Sequence, residues 1–282
     1  MNDANSTGMH GTHRDHEPAG AGTFAMAELL DLDAEVLHAH LDELTGWLAE
    51  LATPAPSRIL DLGSGTGTGT LALLKRFPQA GASALDVSPQ MLHHLSKKAH
   101  ALGLADRLDT VRADLDADWP GLGPADLVWA ASSLHHLADP DRALARAFDA
   151  LRPDGLLAVT EMDFFPRFLP DDTVQGAVEA RLHAALNDRP AVDWTDHLTR
   201  AGFHLEERRP FAIDLRAPLP AAAGRYAQAS LRILRSHADG RLSETDLVAL
   251  DTLLDGDGRH SILRRQDLTV RSARTTWAAR RP

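Results

Sequence analysis

Three aspartates stand at the ends of three successive apolar runs, and their spacing is the first sign of chemistry. Asp61 closes the run that begins Ile59-Leu60 and is followed by Leu62-Gly63-Ser64-Gly65-Thr66-Gly67-Thr68-Gly69, with glycine at alternate positions. Glycines so placed let the backbone turn sharply and approach a ligand closely. Asp86 lies nineteen residues past Gly67, at the end of the next run. An acid there is placed to accept hydrogen bonds from both hydroxyls of a ribose. Asp114, in Val111-Arg112-Ala113-Asp114-Leu115, can accept from the exocyclic amine of adenine, with Val87 and Leu115 against the faces of the base. Each feature alone has a plainer use: a packing turn, the cap of the next helix, a solvated loop acid. In register they describe an adenosine pocket.

Further candidates follow a fourth apolar run, which delivers Trp129, Ala130, Ser132, Ser133, His135 and His136 to the same edge. His135 and His136 are the candidate bases, since imidazole titrates near neutral pH. Glu161 and Asp163, after a fifth run, are alternatives. Phe164, Phe165, Trp194, Arg225 and Tyr226 are candidates to line a substrate pocket, although aromatics in amphipathic helices commonly serve the core. His10, His13 and His16, with Asp15 and Glu17, match no rigid ligand geometry, so no metal site is expected and the segment reads as a solvated tail. Seven arginines crowd residues 259–281 (259, 264, 265, 271, 274, 280 and 281) and read as an exposed face of the last strand.

These residues need a scaffold that brings strand ends to one edge. Leu37, Leu41, Leu44, Leu48 and Leu51 form one stripe of an amphipathic helix over 34–52, stopped by Thr53-Pro54-Ala55-Pro56. Strands are expected over 58–62, 82–87, 108–115, 125–131 and 156–161, with helices over 70–77, from Ser88-Pro89 to about 102, and from Asp139-Pro140 to about 151. Strands joined by single helices imply a parallel, doubly wound α/β sheet, with ligands at the carboxyl ends of its strands. Beyond 163 come helices over 174–186, 193–201, 221–236 and 243–254, and strands over 204–215 and 268–279. The expected organisation is a disordered tail (1–23), an N-terminal helical segment (24–56) and one domain (57–282). Helical inserts at about 164–192 and 216–267 would cover the pocket.

The 282 residues carry 29 Lys+Arg against 40 Asp+Glu, a formal charge of −11, and no cysteine. That composition excludes disulfide scaffolds, thiolate zinc sites, iron–sulfur clusters and cysteine nucleophiles. The acidic balance argues against nucleic acid as a partner. No apolar run is long enough for a membrane span and the N-terminus has no signal-peptide h-region, so a cytoplasmic protein is expected. Oligomeric state is left open, a homodimer included.

The segments ILDLGSGTGTGT, ALDVSPQML, VRADL, ADLVWAASSLHHLADPDRALARAFDALRPDGLLAVTEMD and WTDHLTRAGF resemble the class I S-adenosylmethionine-dependent methyltransferases, particularly the small-molecule type 11 group. The likeness covers roughly 57–163, more weakly 193–215 and 268–280. It implies a Rossmann-like seven-stranded sheet with the last strand antiparallel. It implies that Asp61, Gly63, Gly65 and Gly67 hold the methionine end of S-adenosyl-L-methionine, that Asp86 binds the ribose and that Asp114 binds the adenine. A dinucleotide turn would need Gly or Ala at position 68, where this chain has Thr. The expected activity is methyl transfer to an oxygen or nitrogen (less readily a carbon) of a small organic molecule such as a specialised metabolite, releasing S-adenosyl-L-homocysteine. The alternative is a cyclase or other non-methylating enzyme that keeps the cofactor. Absent cysteine also excludes arsenite, radical iron–sulfur and pyrimidine C5 methylases that work through a thiolate.

Overall fold

The computed structural model describes residues 19–186 and 192–282, so the His10, His13 and His16 segment lies outside the described residues. Seven strands form one sheet: β1 (Arg58–Leu62), β2 (Gly81–Asp86), β3 (Leu108–Arg112), β4 (Ala125–Ala131), β5 (Leu151–Arg167), β6 (His204–Leu215) and β7 (Val270–Arg280). Their order is β3-β2-β1-β4-β5-β7-β6. All pairs from β3 to β5 are parallel, and β7 runs antiparallel to both β5 and β6. The expected Rossmann-like sheet with its antiparallel last strand is thus the fold observed.

Helices α3 (Thr68–Arg76), α4 (Pro89–Ala101) and α5 (Pro140–Ala150) make the crossovers. Ser88 and Asp139 cap α4 and α5 by accepting from the backbone N–H of Met91 and Arg142. These caps satisfy donors that a helix start leaves free, ahead of a proline that needs no donor. Helix α7 (Thr195–Arg200) lies beside α5 on one face of the sheet, while α3 and an N-terminal helix cover the other.

That N-terminal part differs from the expected single helix. It comprises α1 (Ala19–Val36) and α2 (His38–Leu51), broken at Leu37, whose φ is −101°. The break follows from packing. Leu37 is buried with α1 in a cap formed with α6 (Val174–Leu186), α8 (Ala223–Ser236) and α9 (Glu244–Leu254), whereas Leu44 and Leu48 are buried under the sheet. Helix α1 also begins five residues before Phe24, where order was expected to start. Within α6, Val178 and Leu182 enter the cap core, whereas Val174 is exposed. Strand β3 stops at Arg112, short of the expected Leu115, which leaves Asp114 on a loop. Strand β5 runs past Glu161 to Arg167 because β7 pairs along it. Among the described residues, no helix is long and apolar enough to cross a membrane.

Candidate active site

A cavity of about 680 Å³ opens over the carboxyl ends of β1, β2 and β4 and the residues that follow β3. Asp61, Gly63, Gly65, Asp86, Val87, Asp114 and Leu115 all line it, so the loops after three strands meet at one place. The glycine turn is tight. Gly63, Gly65 and Gly67 have φ of +76°, +52° and +79°, a region that side chains with a Cβ avoid. A Cβ on Gly63 would lie 2.5 Å from the Cβ of Ser133, so the turn also packs against the loop after β4. Gly67 is not on the cavity wall. It makes room for Leu95 of α4, whose Cδ1 would lie 2.0 Å from an added Cβ.

Asp61 is buried and takes a hydrogen bond from the Thr70 hydroxyl. Burial pushes its carboxyl up to about 7; the Asp86 charge adds to this and the Thr70 hydrogen bonds oppose it. Beside it, Ser64 Oγ and Thr68 Oγ1 are buried without hydrogen-bond partners, while the Thr66 hydroxyl interacts with Asp31 of α1. Buried polar groups of this kind are ordinarily satisfied. A ligand with a cationic group for Asp61 would complete the corner. Asp86 accepts from the backbone N–H of Gly65 and of Ser88, both at 2.8 Å, and so ties the turn to the start of α4. An ionised carboxylate has about four acceptor positions, leaving room for ligand hydroxyls. Asp114 is exposed and accepts from the Asp116 N–H at 3.0 Å. Val87 stands 60% exposed over the cavity, available to stack on a flat ring.

Period-two alternation decides which other candidates reach the wall. On β4, Trp129 and Ala131 face the α2–α3 side and line the cavity, whereas Ala130 is turned into the opposite core. On β5, Thr160 lines the cavity and Glu161 does not. Glu161 instead meets the Nδ1 of His135 at 2.7 Å on the far side. That hydrogen bond raises the His135 pKa above the usual imidazole value, against the effect of burial. His136 does line the cavity, and burial lowers its pKa, so it stays neutral at neutral pH. Its backbone lies in the short turn after Ser132, a non-glycine residue held at φ +51°.

The candidates from Asp163 onward lie off the wall. Asp163 accepts from the Thr275 hydroxyl at 3.0 Å, on the same side of the sheet as Glu161. Phe164 and Phe165 are 39% and 44% exposed on the part of β5 that outruns the parallel sheet. Trp194 is buried with Leu198 and Phe203 in the core under α7. Arg225 is an exposed partner of Glu28, and Tyr226 is buried in the cap, donating to Asp33 at 2.6 Å. Four of these six side chains therefore tie or fill the sheet, core and cap, and the two phenylalanines stand off the cavity.

Two groups that do line the wall were not among the expected site residues. His40 comes from α2 and Arg274 from β7. His40 occupies the apolar stripe of its helix, between Leu37 and Leu44, a position that would have marked it as facing inward. Arg274 belongs to the arginine-rich run expected to be exposed. It is instead one residue of the β7 face that points to the cavity, and it is paired with Asp33 at 2.5 Å.

Residues 60–157 match the family model described as "Methyltransferase domain". This segment is a class I methyltransferase domain. A malonyl-acyl-carrier-protein O-methyltransferase of Laribacter hongkongensis is 37% identical over 129 residues, 44% of this chain and 43% of that protein. A trans-aconitate 2-methyltransferase of Acidovorax sp. strain JS42 is 39% identical over 116 residues, 41% of this chain and 42% of that protein. The chain thus spans less than half the length of the curated relatives it matches. Among solved structures, the cyclase SpnF superposes with a TM-score of 0.52 at 22% identity, covering 86% of this chain and 81% of that one. A Bacillus halodurans C-125 protein assigned to the methyltransferases gives 0.53 at 18% identity, covering 84% and 98%. These likenesses describe the fold of the methyltransferase domain. His40 and Arg274 lie outside the matched segment.

Proposed function

We propose that this protein is an S-adenosyl-L-methionine-dependent methyltransferase acting on a small organic molecule at oxygen or nitrogen. The observation that carries the reading is the corner formed by Asp61 and the glycine turn. A buried acid is pushed up to about 7 beside a turn of positive-φ glycines, on one cavity wall with Asp86 and Asp114. An α-ammonium group would satisfy Asp61. Asp86 would accept from the ribose hydroxyls and Asp114 from the adenine amine, with Val87 and Leu115 on the faces of the ring. When bound, the cofactor supplies an electrophilic methyl group on a sulfonium.

In-line displacement at such a methyl needs little electrophilic help, so positioning and exclusion of water carry most of the acceleration. Leu41, Leu44 and Trp129 supply an apolar wall for that purpose, and α1 covers the cavity with Met26 and Leu30. The two relatives named above carry the names of carboxylate-bearing acceptors, but each likeness covers less than half of this chain.

Isothermal titration should show S-adenosylmethionine and S-adenosylhomocysteine binding with micromolar dissociation constants; no detectable binding of either would sink the proposal. Asp86→Ala should weaken binding by about 1–3 kcal/mol, the worth of hydrogen bonds to a charged group. Release of S-adenosylhomocysteine during turnover separates methyl transfer from a non-methylating use of the cofactor.

A further inference from the structure

A second cavity, of about 530 Å³, adjoins the first. It runs between one stripe of α2 (positions 38, 41, 42 and 45) and one stripe of α3 (68, 71, 72 and 75), each at the spacing of a single helix face. Its lining is of two kinds. Leu41, Leu71, Ala72 and Leu102 are apolar, while Lys75, Arg76 and Lys98 set three cations against one carboxylate, Asp42. The sequence as a whole is acidic, with a net charge of −11. Lys75, Lys97 and Lys98 are its only lysines, and two of them line this cavity.

Helix ends account for part of this charge, since all three cations lie in the last turns of α3 and α4, where they oppose the helix dipole. Arg76 is also spent on the Asp42 carboxylate, and Lys98 donates to Asp31 at 2.7 Å. Lys75 is exposed and has no hydrogen-bond or ion-pair partner among the described residues. With Arg76 and Lys98 offset, one cation is left over. A favourable helix end needs no apolar cavity beside it, whereas apolar walls with a few charged groups, at this volume, are the usual form of a small-ligand site. We propose that this cavity is a second ligand site, for a small amphipathic monoanion whose apolar body lies against Leu41, Leu71 and Ala72 and whose head meets Lys75. An ammonium head would meet Lys75 as a like charge, and a bare phosphate would leave the apolar walls uncovered.

The two cavities share structure. Leu41 and Thr68 line both, and α1 lines the first with Met26 and Leu30 and the second with Ala34. Between those α1 positions, Asp31 joins α1 to α4 through His94 and Lys98, and Lys98 belongs to the second lining. An occupant of the second cavity therefore braces α1 and α2 against α3 and α4, in the arrangement in which α1 covers the first cavity. Resting on the cofactor reading above, the monoanion and the cofactor bind with positive coupling, and linkage makes that coupling the same from either side.

The test titrates octanoate, octan-1-ol, octylammonium and inorganic phosphate separately into the full chain, followed by calorimetry. Octanoate should bind at least tenfold tighter than each of the other three. Lys75→Glu, at an exposed side chain, and Ala72→Phe, which fills the space between the two stripes, should each weaken octanoate at least tenfold. Arg216→Glu, the same charge change at an exposed arginine beyond β6, should alter it less than twofold. Saturation with S-adenosylhomocysteine should tighten octanoate binding at least threefold. No octanoate binding, equal binding of octan-1-ol or phosphate, or an affinity that survives both cavity variants overturns the site. An octanoate affinity unchanged or lowered by S-adenosylhomocysteine overturns the coupling. Failure of S-adenosylhomocysteine itself to bind would instead overturn the cofactor reading, and the titrations of the free chain would still decide the site.

Discussion

Asp61 is the residue at which stability and function pull in opposite directions. Its carboxyl, pushed up to about 7 from an ordinary 3.8, makes the charged form unfavourable in the folded chain by about 4 kcal/mol. The sign follows from linkage. A folded-state pKa above the unfolded value gives stability that is full below about pH 4 and lost as pH rises through 7. Asp61→Asn removes that dependence. The thermal midpoint of the cofactor-free variant should therefore gain on that of the parent between pH 4 and 7 and hold a constant lead above it. The same variant should bind S-adenosylmethionine at least tenfold more weakly, because a neutral amide cannot pair with an ammonium. A lead that is absent or shrinks with rising pH would show that the buried acid is satisfied in some other way. The unmet hydroxyls of Ser64 and Thr68 sit in the same corner and add to the unfavourable side.

At the scale of elements, the turn from β1 into α3 is held by glycines with unequal tasks. Gly67 combines φ +79° with close approach to Leu95, which is fully buried in the packing between α4 and the sheet. Gly65 has φ +52°, but an added Cβ would meet only the tip of Leu30 on α1, at 3.1 Å. Gly67→Ala should therefore cost about 2–4 kcal/mol, left-handed strain plus overpacking, and clearly more than Gly65→Ala. Urea denaturation with unchanged slopes measures both. The glycine pattern, the caps at Ser88 and Asp139 and the strand ends at Asp61 and Asp86 were all legible in the sequence. Each depends on a few neighbouring residues and a local conformational rule. The break at Leu37 was not legible, because a continuous leucine stripe is compatible with one helix until it is known that its two halves serve different cores.

For the whole molecule, the cap and the sheet are separate hydrophobic bodies that share the cavity. The cap gathers α1, α6, α8 and α9 from distant parts of the chain, and polar ties fasten α1 to its surroundings. Asp33 is held by Tyr226 and Arg274, and Asp31 by His94 at 2.6 Å and Lys98 at 2.7 Å on α4. Since Gly22, Thr23, Met26 and Leu30 of α1 line the cavity, a bound cofactor would contact the cap as well as the sheet. Hydrogen exchange over residues 22–36 should slow at least fivefold on saturation with S-adenosylhomocysteine, with α5 and α7 unaffected. Equal slowing everywhere would indicate a global gain in stability rather than closure of α1.

What the sequence by itself determined is a strand, a glycine turn and the positions of three acids: Asp61 and Asp86 in the strands before two turns, and Asp114 on the loop after β3. What only the tertiary structure decided is which other side chains share the cavity with them. There the choice between Thr160 and Glu161, or between Ala131 and Ala130, turns on which face of a strand looks toward α2. The sequence marks alternation but not which side of a doubly covered sheet carries the cavity, since helices bury both. His40 and Arg274 lie 234 positions apart in the chain and share a wall only because β7 inserts beside β5 and α2 packs across the end of the sheet.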